Sequence, residues 1–121
     1  MPNPVTHFEV IGKDGKKLQD FFAQLFGWKI DANNPMSYGI VEPSNGGIGG
    51  GIGAGSSDQY HPGVMVYVEV DDTDAYLKKA EGLGGRTVMP TTTIPGMVTF
   101  AMFADPEGHI VGLAKSEQHD H

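Results

Sequence analysis

The sequence predicts an α+β protein built from two tandem βαβββ modules with pseudo-twofold symmetry, and three observations predict it. The stretch from His7 to Ile30 (HFEVIGKDGKKLQDFFAQLFGWKI) returns in degraded form from Tyr67 to Val88 (YVEVDDTDAYLKKAEGLGGRTV). Within it Phe8-Glu9-Val10 falls on Val68-Glu69-Val70, and Gly27-Trp28-Lys29-Ile30 falls on Gly85-Arg86-Thr87-Val88. The rows that follow also pair, Asn45-Gly46-Gly47-Ile48 with Glu107-Gly108-His109-Ile110, each just past a proline, Pro43 or Pro106. A period of about 60 residues is too long for a solenoid and suits a pair of small modules.

Each element follows from local pattern. Val5 to Ile11 is rich in branched and aromatic residues and alternates, which predicts a strand with Phe8 and Val10 on one face and His7 and Glu9 on the other. From Gly15 to Phe26, Leu18, Phe21, Phe22, Leu25 and Phe26 recur at steps of three and four, with Lys16, Lys17, Gln19, Asp20 and Gln24 opposite, the pattern of an amphipathic helix. Gly27 is placed to end it in a left-handed conformation before Trp28 begins another strand. Met36 to Val41 reads as a third strand after the Asn33-Asn34-Pro35 turn. The glycine-rich run from Gly46 to Gly55 reads as an irregular fourth strand, by its alignment with His109 to Lys115.

The second module opens at Val64, where Val64, Val66, Val68 and Val70 alternate with Met65, Tyr67, Glu69 and Asp71. Asp72 or Thr73 caps a helix carrying Tyr76, Leu77, Ala80 and Leu83, and Gly84-Gly85 stops it. Strands are expected over Thr87 to Thr92, Met97 to Phe103 and His109 to Lys115, with a hairpin turn at Ala104 to Gly108. The boundaries are then module 1 at about 4–55, a linker at about 56–62, module 2 at about 63–116 and a polar tail at 117–121, all in a single domain, because roughly 60 residues alone bury too little surface.

Composition narrows the partners. Hydrophobic content of 39% and 19% charged residues over 121 positions are ordinary for a globular protein. No apolar run approaches the roughly 18 residues of a membrane span, so no membrane segment is expected. Met1-Pro2-Asn3-Pro4 lacks the basic-then-apolar pattern of a signal peptide, which gives a cytoplasmic location as the expectation. The absence of cysteine removes disulfides, thiolate ligands and thiol nucleophiles. A net charge of −7 opposes nucleic acid and anionic lipid, leaving small molecules as the natural partners.

Two βαβββ units can set their curved mixed sheets edge to edge around a cleft, helices outside. Strand parity then turns Phe8, Val10, Val68 and Val70 to the helices and His7, Glu9, Tyr67 and Glu69 to the cleft. Tyr38, Met65, Tyr67, Phe100, Met102 and Trp28 supply an adaptable apolar lining to cleft or core, with Trp28 and Phe100 assigned to core and Met65 and Tyr67 to the cleft.

Several of these stretches together resemble the vicinal oxygen chelate superfamily of glyoxalases, bleomycin and fosfomycin resistance proteins and extradiol dioxygenases. The carriers are Thr6-His7-Phe8-Glu9-Val10, Phe22-Ala23-Gln24-Leu25-Phe26-Gly27-Trp28, Tyr67-Val68-Glu69-Val70-Asp71-Asp72, and Phe103-Ala104-Asp105-Pro106-Glu107-Gly108 running into His109-Ile110-Val111-Gly112-Leu113, covering roughly residues 4 to 116. The resemblance implies a glyoxalase-like fold and a divalent metal held at four symmetry-related strand positions. Carried over, these fall on His7, Gly50, Tyr67 and Gly112. Glycine offers no donor and a neutral phenol is a poor ligand, so only His7 suits an ion, and one imidazole falls short of the three protein ligands common in catalytic sites.

The expected function is therefore binding of a small organic ligand in the cleft by His7, Glu9, Gly50, Met65, Tyr67, Glu69 and Gly112. No cofactor is expected, no metal ligand set is assigned and no catalytic residue is named. Gly50 and Gly112, lacking side chains, are expected to open room for the ligand. The alternative is a metal-dependent lyase or dioxygenase with rearranged ligands around His7, Glu9 and Glu69, any divalent ion sitting at His7. Against it, Glu9 and Glu69 could stand in water at the rim or pair with Lys29, Arg86 or Lys115. His61 is read as a linker residue, His109 as a turn or helix-facing residue, and His119 and His121 as parts of the tail. The run Gly46-Gly47-Ile48-Gly49-Gly50-Gly51 lacks the Lys-Ser/Thr of a phosphate loop. The resemblance also implies a homodimer.

Overall fold

The computed structural model describes residues 2–44, 46–55 and 63–116, so His61, His119 and His121, the linker at 56–62 and the tail at 117–121 lie outside the described residues. Two compact units divide the chain, His7–Met65 and, separately, Met1–Thr6 together with Val66–His121.

In the first unit the chain runs β1 (Val5–Gly12) from His7 onward, α1 (Gly15–Phe26), β2 (Ile30–Asp31), β3 (Gly39–Val41) and β4 (Gly49–Ala54). The strands lie in the order β2-β3-β4-β1, with β1 and β4 parallel and the other neighbours antiparallel. A parallel pair needs a crossover, and α1 with the β2–β3 hairpin supplies it. The helix ends follow their sequence signals. The Asp14 carboxylate accepts from the Lys17 N–H at 3.1 Å, and Gly27 at φ 72 donates its N–H to the Ala23 carbonyl at 2.8 Å.

The packed face of α1 departs from its apolar stripe. Phe21, Leu25 and Phe26 are each more than half exposed, whereas Gln19, expected on the polar side, is only 6% exposed. Its Nε2 donates to the carbonyls of Ile52 at 2.8 Å and Ser37 at 3.1 Å, so its burial leaves a donor satisfied. Gly39 makes the space, because a Cβ there would stand 2.8 Å from the Gln19 side chain. The buried apolar residues of this unit are Val41 and Ile52, and beside them stands an aromatic cluster in which the Trp28 ring lies 5.3 Å from Phe8, 5.8 Å from Phe22 and 5.0 Å from Phe26.

The third strand is shorter than expected, Gly39–Val41 rather than from Met36. Asn34 explains the delay. Its Oδ1 accepts from the N–H groups of Met36 at 3.2 Å and Tyr38 at 3.0 Å, and its Nδ2 donates to the Tyr38 carbonyl at 2.8 Å, a side-chain alternative to the ladder. Ser37 within this turn sits at φ 52, in the left-handed region. The glycine run does form a strand, regular through Gly49–Ala54 and mostly buried.

The second unit contains β5 (Gly63–Val70) from Val66 onward, α2 (Thr73–Gly82), β6 (Arg86–Ile94), β7 (Val98–Ala104) and β8 (Ile110–Lys115). Its strands run β5-β8-β7-β6 with β5 and β8 parallel, the arrangement of the first unit repeated, so the βαβββ duplication read from sequence is present in the fold. Asp72 is the N-cap, accepting from the Ala75 N–H at 3.1 Å. The C-terminus closes one residue before the predicted glycines, at Leu83, with Gly84 taking φ 99. Val70, Leu77, Ala101 and Leu113 form the core, and full burial of each Val or Leu side chain contributes about 1.5–3 kcal/mol. The opening residues pack here too: Pro4 accepts from the Glu69 N–H at 2.9 Å, the Asn3 amide donates to the Glu69 carbonyl at 3.1 Å, and Tyr76 Oη donates to Asn3 Oδ1 at 3.2 Å. Among the described residues no helix is long and apolar enough to cross a membrane.

Candidate functional site

Strand alternation puts His7 and Glu9 on one face of β1, and the structure adds a third member that links them. Tyr38 Oη donates to Glu9 Oε2 at 2.7 Å and lies 3.2 Å from His7 Nε2, forming a chain His7–Tyr38–Glu9. Glu9 is buried, at 8% exposure, and His7 is half-buried. Burial pushes the His7 imidazole below its ordinary pKa, favouring the neutral ring at pH 7. Glu9 does not stand in water at the rim: it is buried and accepts a hydrogen bond from a phenol.

Tyr38 reaches this position because β4 presents a glycine beneath it. In the β1–β4 register Glu9 stands opposite Gly51, on the same face, and a Cβ on Gly51 would overlap the Tyr38 hydroxyl and ring. Gly50 stands opposite Phe8, on the other face, and a Cβ there would overlap the Phe8 ring. This corrects the placement of Gly50 beside His7 and Glu9. The sequence alignment of the modules slips by one residue at β4, and the glycines on that face are Gly49, opposite His7, and Gly51, opposite Glu9.

In the second unit Tyr67 is 7% exposed, stands opposite Gly112 in the β5–β8 register, and covers it: a Cβ on Gly112 would overlap the Tyr67 ring. The room expected at Gly112 is therefore filled by Tyr67 itself. Phe100 meets Tyr67 edge-on at 6.5 Å. Met65, half-buried on β5, and Glu69, also half-buried, share Tyr67's side of the strand by alternation. Three aromatic rings thus lie over three glycines, Phe8 on Gly50, Tyr38 on Gly51 and Tyr67 on Gly112, since only a missing side chain lets a ring approach a sheet so closely.

His109 occupies the turn before β8, where its Nδ1 lies 3.0 Å from Asp105 Oδ2. The Asp105 carboxyl is held below its usual range by the backbone N–H of His109, helped by the His109 ring and the Glu107 N–H. Among the described residues no three His, Asp or Glu side chains converge as a metal cluster would. A concavity of about 300 Å³ lies on the helix side of the second unit, lined by Tyr76, Lys79, Ala80, Leu83, Phe103 and Pro106 among others, and includes none of the sequence-predicted site residues.

Sequence reasoning counted Tyr38 only among apolar lining. The available signal was indirect: a polar aromatic following an Asn-Pro turn, and a glycine run on a strand that should have carried side chains.

The chain is similar to two curated proteins of bacteria named Mycobacterium bovis and Streptomyces peucetius. It is 29% identical over 119 residues to the protein named "Putative glyoxylase CFP32" of Mycobacterium bovis, covering 88% of this chain and 43% of that protein. It is 28% identical over 123 residues to the anthracycline biosynthesis protein DnrV of Streptomyces peucetius, covering 88% of this chain and 45% of that protein. The chain thus spans about half the length of the curated relatives it matches. Among solved structures, the hypothetical protein BH1468 of Bacillus halodurans superposes with a TM-score of 0.68 at 10% identity, covering 100% of this chain and 99% of that one. Methylmalonyl-CoA epimerase of Mycobacterium tuberculosis gives 0.63 at 14% identity, covering 92% and 86%. These likenesses show the fold. The family model for the Glyoxalase/Bleomycin resistance protein/Dioxygenase superfamily matches residues 5–113, and the chain, with its paired βαβββ units, belongs to that superfamily.

Proposed function

We propose that this chain binds a small organic molecule at the His7–Tyr38–Glu9 chain of hydrogen bonds, and that it does so without the divalent ion used elsewhere in its superfamily. The observation that carries the reading is the Tyr38 hydroxyl, set between the imidazole and the carboxylate at 3.2 and 2.7 Å. A cation joining His7 and Glu9 would have to displace it. Gly50 and Gly112 bring no donor and Tyr67 brings a neutral phenol, so the chemistry of these positions does not suit a divalent ion. The names of the relatives, a glyoxylase and a protein of anthracycline biosynthesis, accord with an organic ligand of modest size. Met65, Tyr67 and Glu69 remain the further candidate contacts.

The test is a fragment screen read by protein NMR, paired with elemental analysis of protein purified without an affinity tag. Ligand-induced shifts centred on His7 and Tyr38, weakened in His7→Ala, are the expected result. Stoichiometric zinc, nickel, manganese or iron that His7→Ala removes would replace this reading with a metal-dependent lyase or dioxygenase using His7, Glu9 and Glu69. A homodimer, a cytoplasmic location and action of the chain as a single domain belong to the same proposal, the first of them checked by light scattering.

A further inference from the structure

The hollow on the helix side of the second unit has walls that follow from the sequence. Tyr76, Lys79 and Ala80 on α2, with Leu83 at its C-cap, stand at the i, i+3, i+4 and i+7 spacing that one face of a helix presents. Ala80, the smallest of the four, leaves a depression between its larger neighbours, and Phe103, Asp105 and Pro106 close it from the end of β7. Two glycines bring these walls together. A Cβ on Gly85 would stand 2.6 Å from the Ala104 carbonyl oxygen, and Gly84, at φ 99, passes beside Pro106, so the chain leaving α2 runs directly against the end of β7. The floor is fixed, because Tyr76 and Phe103 both pack on the core of Val70, Leu77, Ala101 and Leu113. At about 300 Å³ the hollow has the volume of a small ligand site, for which roughly 300–1,000 Å³ is usual.

Three polar side-chain groups stand on these walls, and two are engaged. Asp105 accepts from the N–H groups of Glu107 and His109 at 2.9 Å each and meets the His109 ring at 3.0 Å, contacts that offset its charge, while Tyr76 Oη donates to Asn3. Lys79 differs. Among the described residues its ammonium joins no ion pair, and it lies 5.9 Å from the centroid of the Tyr76 ring. The helix end does not claim it either, because the carbonyls of Lys79, Ala80 and Glu81 accept from the N–H groups of Leu83, Gly84 and Gly85. We propose that this hollow is a second small-molecule site, sharing no residue with the His7–Tyr38–Glu9 chain, and that it takes a compact organic carboxylate. The apolar body rests on Ala80, Leu83, Phe103 and Pro106, and the carboxylate meets the Lys79 ammonium. Leu83, 72% exposed, is apolar surface that such a body would cover. Because Lys79 is exposed, its charge supplies selectivity more than affinity, and burial of the apolar body supplies the binding.

The experiment titrates the full chain with cinnamate, cinnamyl alcohol and cinnamylamine, which share one apolar body and differ in charge, and follows backbone amides by ¹H–¹⁵N NMR. Cinnamate is expected to shift Lys79, Ala80, Leu83 and Phe103 and to bind about fivefold more tightly than the alcohol, the contribution of an exposed ion pair, with the amine weaker than both. Lys79→Met keeps the apolar stem without the charge, so it should lower cinnamate to the affinity of the alcohol and leave the alcohol unchanged. Ala80→Leu fills the hollow with another strong helix former and should abolish the shifts from all three compounds. Cinnamate and cinnamylamine binding equally, or a preference for cinnamate that persists in Lys79→Met, overturns the ligand class. No shift at these four residues with any compound, or binding undiminished in Ala80→Leu, overturns the site. Either failure leaves the reading of His7, Tyr38 and Glu9 standing, because that reading is tested at different residues.

Discussion

The Tyr38 hydroxyl occupies the space that a side chain on Gly51 would need. A single added methyl at Gly51 therefore acts on the candidate site through a residue thirteen positions earlier in the chain, just before β3. Gly51→Ala is expected to force Tyr38 aside, breaking its bonds to Glu9 and His7, at a cost of about 1–3 kcal/mol typical of overpacking. Chemical denaturation of Gly51→Ala, Tyr38→Ala and the double mutant checks it. The two changes are expected to be non-additive by at least about 0.5 kcal/mol, since Tyr38→Ala removes the ring that the methyl would strike. Full additivity would mean that the two residues do not share that space.

Gln19 gives the second prediction. Its buried amide serves the carbonyls of Ile52 and Ser37, so Gln19→Leu leaves both without that donor while changing side-chain volume little. The expected loss is about 1–3 kcal/mol, seen as a lower denaturation midpoint at unchanged slope. A Leu as stable as Gln would show that the amide does nothing the apolar side chain cannot.

His7 sets a pH dependence. Burial lowers its pKa in the folded chain below the unfolded value of 6.5, so between those two values the unfolded chain binds more protons than the folded one. Stability is then fullest above 6.5 and declines as pH falls from 6.5 toward the folded pKa. Asp105, held low by His109 and Glu107, acts with the same sign in a more acid window, below 3.8. Thermal melts from pH 7.5 to 5 are expected to fall in the wild type and to flatten in His7→Gln. An equal slope in the two proteins would remove His7 as the titrating group.

Much of the fold was legible because the chain writes it twice. The strand parity at Val64 to Val70, the left-handed Gly27 and the Asp72 cap are local signals, and each acts through the residues beside it. The candidate site was half legible. His7 and Glu9 share a face by period-two geometry, which any register preserves, but Gly50 was placed by aligning one module on the other, and a parallel pair slipped by one residue turns every side chain to the opposite face. Tyr38 and Gln19 were missed for a related reason. Both are polar side chains whose burial depends on a glycine far away in sequence, Gly51 for one and Gly39 for the other, and no local pattern encodes that pairing.

The two sides of α1 supply the last prediction. Its periodicity marks Leu25 as core, yet Leu25 is 58% exposed, while Trp28, just past the helix, touches Phe8, Phe22 and Phe26 together. If packing in this unit runs through Trp28, then Leu25→Gln changes stability by no more than about 0.5 kcal/mol, as surface substitutions do. Trp28→Ala, which opens a gap among three rings, should cost about 3 kcal/mol, the lower end for large aromatic truncations because the indole is only half-buried. Denaturation of the two variants separates the cases, with Trp28, the one tryptophan of the sequence, as the fluorescence reporter in the first and circular dichroism in the second. A large loss in Leu25→Gln would mean that the apolar stripe of α1 is covered in solution, for which a second copy of the chain is the natural candidate.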